Sequence, residues 1–211
     1  MILVGTLNLS RTRQTGRFYC PTCGSEQDYR LRARRPFLTV YFVPVVPIGA
    51  AEPFVECAAC REKWDPSVLE MNRQKHQAVQ EDQFRQEALR SAVLVVIEDR
   101  IIRESEIKAL RELAFRLFDL PLDREELGEL CSIVQHNRIK TSNYVLTVSR
   151  RWSHEQRLMA LQAMFLAATP DGFLTPSRSV ALTQMRDILE LTNREYQTAI
   201  ETALRSEVMP Q

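Results

Sequence analysis

Two short motifs constrain this chain more than anything else in its 211 residues. Cys20-Pro21-Thr22-Cys23-Gly24 and Cys57-Ala58-Ala59-Cys60 each place two residues between their thiols, and 33 residues separate the pairs. In such a turn both sulfurs point at one ion, and a following Gly or small residue lets backbone N–H groups approach the sulfur. Two such turns build the closed, tetrahedral four-cysteine cage of a structural Zn2+ ion. The separation exceeds the roughly 15–20 residues of the commonest spacing and suits a β-hairpin or a three-stranded sheet between the two turns. The opening residues, Met1 to Gly5, lack a basic leader and soon meet Arg11 and Arg13, so the expected compartment is the reducing cytoplasm. There disulfides are disfavoured, and two pairs framing strands favour metal over a redox dithiol. Cys131 keeps core spacing with Leu127, Leu130 and Val134 and reads as a small buried hydrophobe.

The residues between the pairs read as strands. Phe37-Leu38-Thr39-Val40-Tyr41-Phe42-Val43 is β-branched and aromatic, with Pro44, Pro47 and Gly49 ending it, and Phe54-Val55-Glu56 leads into the second pair. Four of the six Gly and six of the ten Pro fall before residue 67, whereas the remainder is rich in Leu, Ala, Glu, Gln and Arg. This shift predicts a β-rich module over 1–66, a polar connector over 67–83 that starts helical at Ser67 to Glu70, and an all-helical module over 84–211.

Tyr19-Cys20-Pro21-Thr22-Cys23-Gly24, Phe42-Val43-Pro44-Val45-Val46-Pro47-Ile48-Gly49 and Val55-Glu56-Cys57-Ala58-Ala59-Cys60 together resemble a bacterial zinc-ribbon subfamily over residues 18–64. The resemblance implies a binding module.

The C-terminal module shows helical periodicity. Ile107, Leu110, Leu113, Ala114, Leu117 and Phe118 make one apolar stripe, Leu127, Leu130, Cys131 and Val134 another, and Tyr196, Ile200, Ala203 and Leu204 a third. Ala92 to Ile97 and Leu158 to Ala168 are apolar nearly all round, which places them at the centre of a bundle. Aligning Asp99 with Asp171 matches Leu94 with Leu166, Leu110 with Leu182 and Leu117 with Leu189. Each half then reads as buried helix, acidic loop, amphipathic helix, joined by Arg138 to Arg151.

This repeat resembles the tellurite-resistance-B-like (TerB-like) helical family over about residues 84–206. The family's loop pattern, Ala-Asp-Gly-x-Ile-Ser-x-x-Glu, is kept at Asp99 and Glu106 with Arg100 in the glycine's place. In the second half Asp171-Gly172 is kept, but Arg178 stands where the acid belongs. The resemblance implies a second cation site at Asp99, Glu106 and Asp171, whose oxygen ligands suit weakly held Ca2+ or Mg2+. The simpler reading gives these acids capping and turn roles at helix N-termini. The expected fold is therefore mainly α, a small β zinc ribbon followed by a TerB-like bundle with an internal two-fold repeat.

Arg11, Arg13, Arg17, Arg30, Arg32, Arg34 and Arg35 crowd the first cysteine pair, against Glu26 and Asp28 alone. They are candidates for nucleic-acid or anion contact, or a solvated sheet edge. A net charge of +1 argues against wholesale coating of nucleic acid. No stretch is long and apolar enough for a membrane span, and the two prolines of the Phe37–Ile48 run favour a packed hairpin over contact with a membrane surface. His76, His136 and His154 lack catalytic neighbours, and no phosphate loop, nucleophile elbow or His-Glu-x-x-His motif occurs. The sequence thus reads as a non-enzymatic zinc-binding adaptor with a protein partner, in a stress-response or defence assembly. The alternatives are a nucleic-acid binder using the arginine-rich ribbon and a weak divalent-cation sensor using the acidic loops.

Overall fold

The computed structural model describes residues 4–99, 101–137 and 139–208. Arg100, Arg138 and the opening Met1-Ile2-Leu3 lie outside the described residues. The chain divides into two units, 1–80 and 81–211.

The first unit is an antiparallel sheet of β1 (Val4–Cys20), β2 (Ser25–Val40), β3 (Val43–Pro47), β4 (Glu52–Cys57) and β5 (Lys63–Trp64). The two long strands each extend about 50 Å at roughly 3.3 Å per residue. β1 flanks β2 along its whole length, from Cys20 opposite Ser25 to Val4 opposite Val40. On its other side β2 pairs with β4 near the cysteines and with β3 near the far tip. Gly16 sits directly opposite Tyr29, and a Cβ there would come within 2.9 Å of the tyrosine ring. The missing side chain lets Tyr29 lie across β1 and meet Phe18 edge-on at 5.7 Å.

The core of this unit is confined to the cysteine end, where Phe18, Cys20, Tyr29, Val55, Cys57 and Val68 are buried together. Val68 comes from the 3-10 turn Pro66–Glu70. The cap of that turn is Asp65, whose carboxylate accepts from Ser67 N.

The apolar run 37–43 is not one strand. It reverses at Tyr41 and Phe42, both at positive φ (49° and 66°), so Val40 pairs with Val43 across a two-residue loop. Positive φ costs a non-glycine residue about 1–2 kcal/mol, and loops of this kind normally carry Asn-Gly. Pro44 and Pro47 continue into β3 because that strand pairs only with β2, and an edge strand tolerates a missing N–H. Nor is the hairpin packed: Phe42 is 79% exposed, Val43 61% and Val45 58%.

The second unit is helical. Among the described residues the chain forms α1 (Arg73–Ile97), whose opening turns fall in the first unit, then α2 (Glu104–Phe118), α3 (Arg124–Asn137), α4 (Thr141–Val148), α5 (His154–Ala168), α6 (Pro176–Ile188) and α7 (Asn193–Val208). The end of α1, Ala92 to Val96, and the α5 residues Ala160, Leu161, Ala163, Met164, Ala167 and Ala168 are buried in one core, as helices lacking a polar face require. Leu110, Leu113, Ala114 and Phe118 face the same core, as expected. Leu117 does not: it is 37% exposed, and Leu166 is only partly buried. Ser153 with Gln156 and Thr192 with Glu195 cap α5 and α7 reciprocally. Cys131 is buried, and burial pushes its thiol pKa up. None of the described helices is long and apolar enough to cross a membrane.

Candidate metal centre

Each cysteine pair sits where a strand turns. Cys20 ends β1 and the chain reverses through Cys23; Gly24 takes φ 65° while its N–H returns to the Cys20 carbonyl at 2.9 Å. Cys57 ends β4 and the chain reverses through Cys60; Arg61 takes φ 61° while its N–H returns to the Cys57 carbonyl at 3.0 Å. The two turns are built alike, with arginine holding the left-handed position that glycine holds in the first. A hydrogen bond from Ala58 N to Asp28 O (2.9 Å) ties the second turn to β2.

These turns bring the sulfurs of Cys20, Cys23, Cys57 and Cys60 within 4.8 Å of one another. Cys20 and Cys57 are buried, Cys23 is partly buried and Cys60 is exposed. A tetrahedral ion with bonds of about 2.3 Å to sulfur sets sulfurs about 3.8 Å apart. Cys20 Sγ and Cys60 Sγ stand 3.8 Å apart, far beyond a disulfide bond. Four soft donors at this spacing fit one structural zinc ion, with every coordination position filled by the chain. Burial raises the Cys57 pKa, but the backbone N–H groups of Cys60 and Ala59 outweigh it and bring the thiol down to about 7. Desolvation, followed by hydrogen bonding with Cys60, drives Cys23 up to about 12. The thiols of Cys20 and Cys23, both pushed up chiefly by desolvation, thus resist ionising unless a cation shares their charge.

The acidic loops are arranged differently. Asp99 and Glu106 face one another across the guanidinium of Arg178, which is 2% exposed. Its Nη1 donates to Glu106 Oε1 (2.6 Å) and Ala168 O (3.4 Å). Its Nη2 donates to Val96 O (2.7 Å), Asp99 Oδ1 (3.1 Å) and Ile101 O (3.3 Å). Glu106 also accepts from Arg103 N at the start of α2, and Asp99 accepts from Ile101 N, the capping and turn roles expected of them. Asp171 accepts from Ser105 Oγ at 2.8 Å.

A zinc-ribbon family model matches residues 18–84. The model of the tellurite resistance protein TerB matches residues 85–201, more than half of the chain. The chain belongs to the TerB family. Comparison with curated proteins and with solved structures gave no match.

In the TerB domain the expected second cation site is not assembled. Among the described residues the four cysteines are the one group of three or more His, Cys, Asp or Glu side chains drawn together as metal ligands. The cation that Asp99 and Glu106 surround is Arg178, the residue standing at the position of the lost acid. Its guanidinium also reaches Val96 O in the last turn of α1 and Ala168 O at the end of α5, carbonyls that a helix C-terminus leaves without intrahelical partners.

The ribbon arginines do not form one patch either. Arg30, Arg32 and Arg34 alternate along one face of β2, opposite Glu56, Phe54 and Glu52 of β4. Arg32 pairs with Glu56 at 2.9 Å and Arg34 with Glu52 at 3.3 Å, so much of that ladder is neutralised. Arg35 lies on the other face and donates to Gly49 O. Arg11, opposite Ala33, shares that second face, and Arg13 sits at the β1 bulge between Thr12 and Gln14. His76, which the sequence showed only as lacking catalytic neighbours, hydrogen-bonds the Tyr19 hydroxyl at 3.1 Å.

Proposed function

We propose that this TerB protein is a non-enzymatic adaptor: a zinc-stapled β module and a helical module that hold partner proteins in a cytoplasmic stress-response or defence assembly. The observation that carries this reading is the closed cysteine cage. A catalytic zinc keeps a position open for water or substrate, whereas four cysteine ligands leave none. Zinc ribbons and TerB domains are also not typical enzymatic families. The description of the TerB family as a tellurite resistance protein supports the stress setting, and free thiolates suit the reducing cytoplasm.

An internal repeat in the helical module deepens the reading. It is supported by α2 and α6: Glu106 and Arg178 are 72 residues apart, and each occupies the third helical position after its cap, Arg103 or Thr175. On this reading the two halves meet through one ion pair drawn from equivalent positions. Arg178 already neutralises two of the three carboxylates, which disfavours weak Ca2+ or Mg2+ sensing there.

The test is capture of partners by the full-length protein from native lysate, with and without nuclease. The expected result is a protein partner that survives nuclease and is lost when Cys57→Ser removes the cage. Capture that disappears with nuclease, or with replacement of Arg30, Arg32, Arg34 and Arg35 by Ala, would transfer the function to nucleic acid, whose phosphate contacts are counterion-linked.

A further inference from the structure

A sheet edge presents unpaired N–H and C=O groups to any strand that meets it, and natural proteins blunt such edges with prolines, lysines, bulges or short strands. The ribbon treats its edges unequally. β3 is five residues long, and Pro44 and Pro47 withhold two of its N–H groups. β5 is two residues long and carries Lys63, and where β5 leaves β4 uncovered, β4 holds Glu52 and Pro53. β1 runs for 17 residues, pairs with β2 alone among the described residues, and contains neither proline nor lysine. Its protection begins at Arg11, with the bulge between Thr12 and Gln14 and Arg13 within it. From Val4 to Ser10 the strand carries no charge, and Val4, Leu7 and Leu9 are exposed.

What adds to an open edge is another strand, and the side-chain pattern says which. Gly5, Leu7, Leu9 and Arg11 share one face of β1, and Val4, Thr6, Asn8, Ser10 and Thr12 share the other. The strand is complementary to itself. Paired antiparallel with a second copy about a two-fold axis at Asn8, Leu7 meets Leu9 of the other copy on one face. On the other face Thr6 meets Ser10, Val4 meets Thr12 and Asn8 meets Asn8. Apolar groups thus lie beside apolar groups and hydroxyls beside hydroxyls, the pairings that stabilise a sheet. Arg11 falls opposite Gly5, which has no side chain to obstruct it. Other registers are poorer: an axis at Leu9 sets Leu7 against Arg11, and an axis at Arg11 sets guanidinium against guanidinium. Beyond Thr12 the bulge breaks the alternation, so the ladder ends after nine residues, about 30 Å. A single ladder of this length is at the small end of specific interfaces, which makes the contact reversible and dependent on concentration.

We propose that the outer edge of β1 from Val4 to Thr12 pairs antiparallel with the same edge of a second copy of this chain, joining two ribbons into one continuous sheet. The proposal stands apart from the adaptor reading and needs no other partner. Sedimentation velocity of the zinc-loaded full-length protein over a concentration series is expected to show a monomer–dimer equilibrium. Asn8→Lys and Asn8→Asp each set like charges face to face at the axis. Asn8 is exposed and lies opposite Pro36 of β2, so both variants keep the sheet, checked by unchanged zinc content and circular dichroism. Each variant alone is expected to weaken the dimer about fivefold. An equimolar mixture of the two should recover at least the affinity of the unsubstituted protein, because opposite charges then face one another. An unsubstituted protein that stays monomeric at the highest concentration would overturn the proposal. So would single variants that dimerise as well as the unsubstituted protein, or a mixture that gains nothing over its components, since either result moves the contact away from Asn8.

Discussion

Arg178 and Glu106 are among the largest fully buried side chains of the protein, and each is held on several sides. Glu106 closes the first turn of α2 with one oxygen and accepts from Arg178 with the other. Removing the guanidinium would leave that carboxylate buried without a counterion, a change that typically costs about 3–5 kcal/mol. Arg178→Ala is therefore expected to lower stability by about that amount in a denaturant titration. Adding Glu106→Gln should recover much of the loss, because glutamine keeps an acceptor for Arg103 N while discarding the charge. Equal losses in the single and double variants would contradict the ion-pair account. The sequence marked this position only as an absence, an acid gone from a repeated loop. That Arg178, seen in the sequence at the lost acid's position, pairs with Glu106 was illegible, since the two lie 72 residues apart and neither strand nor helix periodicity brings them together.

At the scale of elements, periodicity separates positions that look alike in sequence. Leu161 and Leu117 both fall on apolar stripes, yet Leu161 is fully buried in α5 and Leu117 is 37% exposed on α2. Leu161→Ala is expected to cost about 2–5 kcal/mol through lost burial and the cavity left behind. Leu117→Ala should stay within about 1 kcal/mol because solvent already reaches it. Thermal melts of both variants check the contrast. The helices were legible because one turn repeats every 3.6 residues and a stripe of four to six apolar side chains fixes their phase. The cysteine turns were legible for the opposite reason, each being complete within four residues. The long hairpin was not. β1 is polar over most of its exposed length and carries little alternation, and the reversal at Tyr41–Phe42 uses residues that signal strand and not turn. The arginine cluster, contiguous in sequence, is split by the two-residue pleat onto opposite faces, a consequence of register that no count of charges reveals.

For the whole molecule, the two units differ in where their structural cation comes from. The ribbon's core is six buried side chains, two of them cysteines of the cage, too few to hold it without metal. Elemental analysis is expected to give about one zinc per chain. Chelation should abolish the sheet and expose the first unit to protease while a fragment beginning near Glu81 survives. A metal-free protein with an intact, cooperative N-terminal unit would contradict this. The second unit carries its positive charge covalently, as Arg178, so it needs no ion from its surroundings to neutralise Asp99 and Glu106. This difference sets an order of maturation. A ribosome delivers the ribbon first, but the ribbon waits on a scarce ion, whereas the later-made bundle can close as soon as its last helix emerges. In a zinc-starved cell the chain would persist as a finished bundle trailing an unmade sheet, and zinc supply would govern how many molecules become complete.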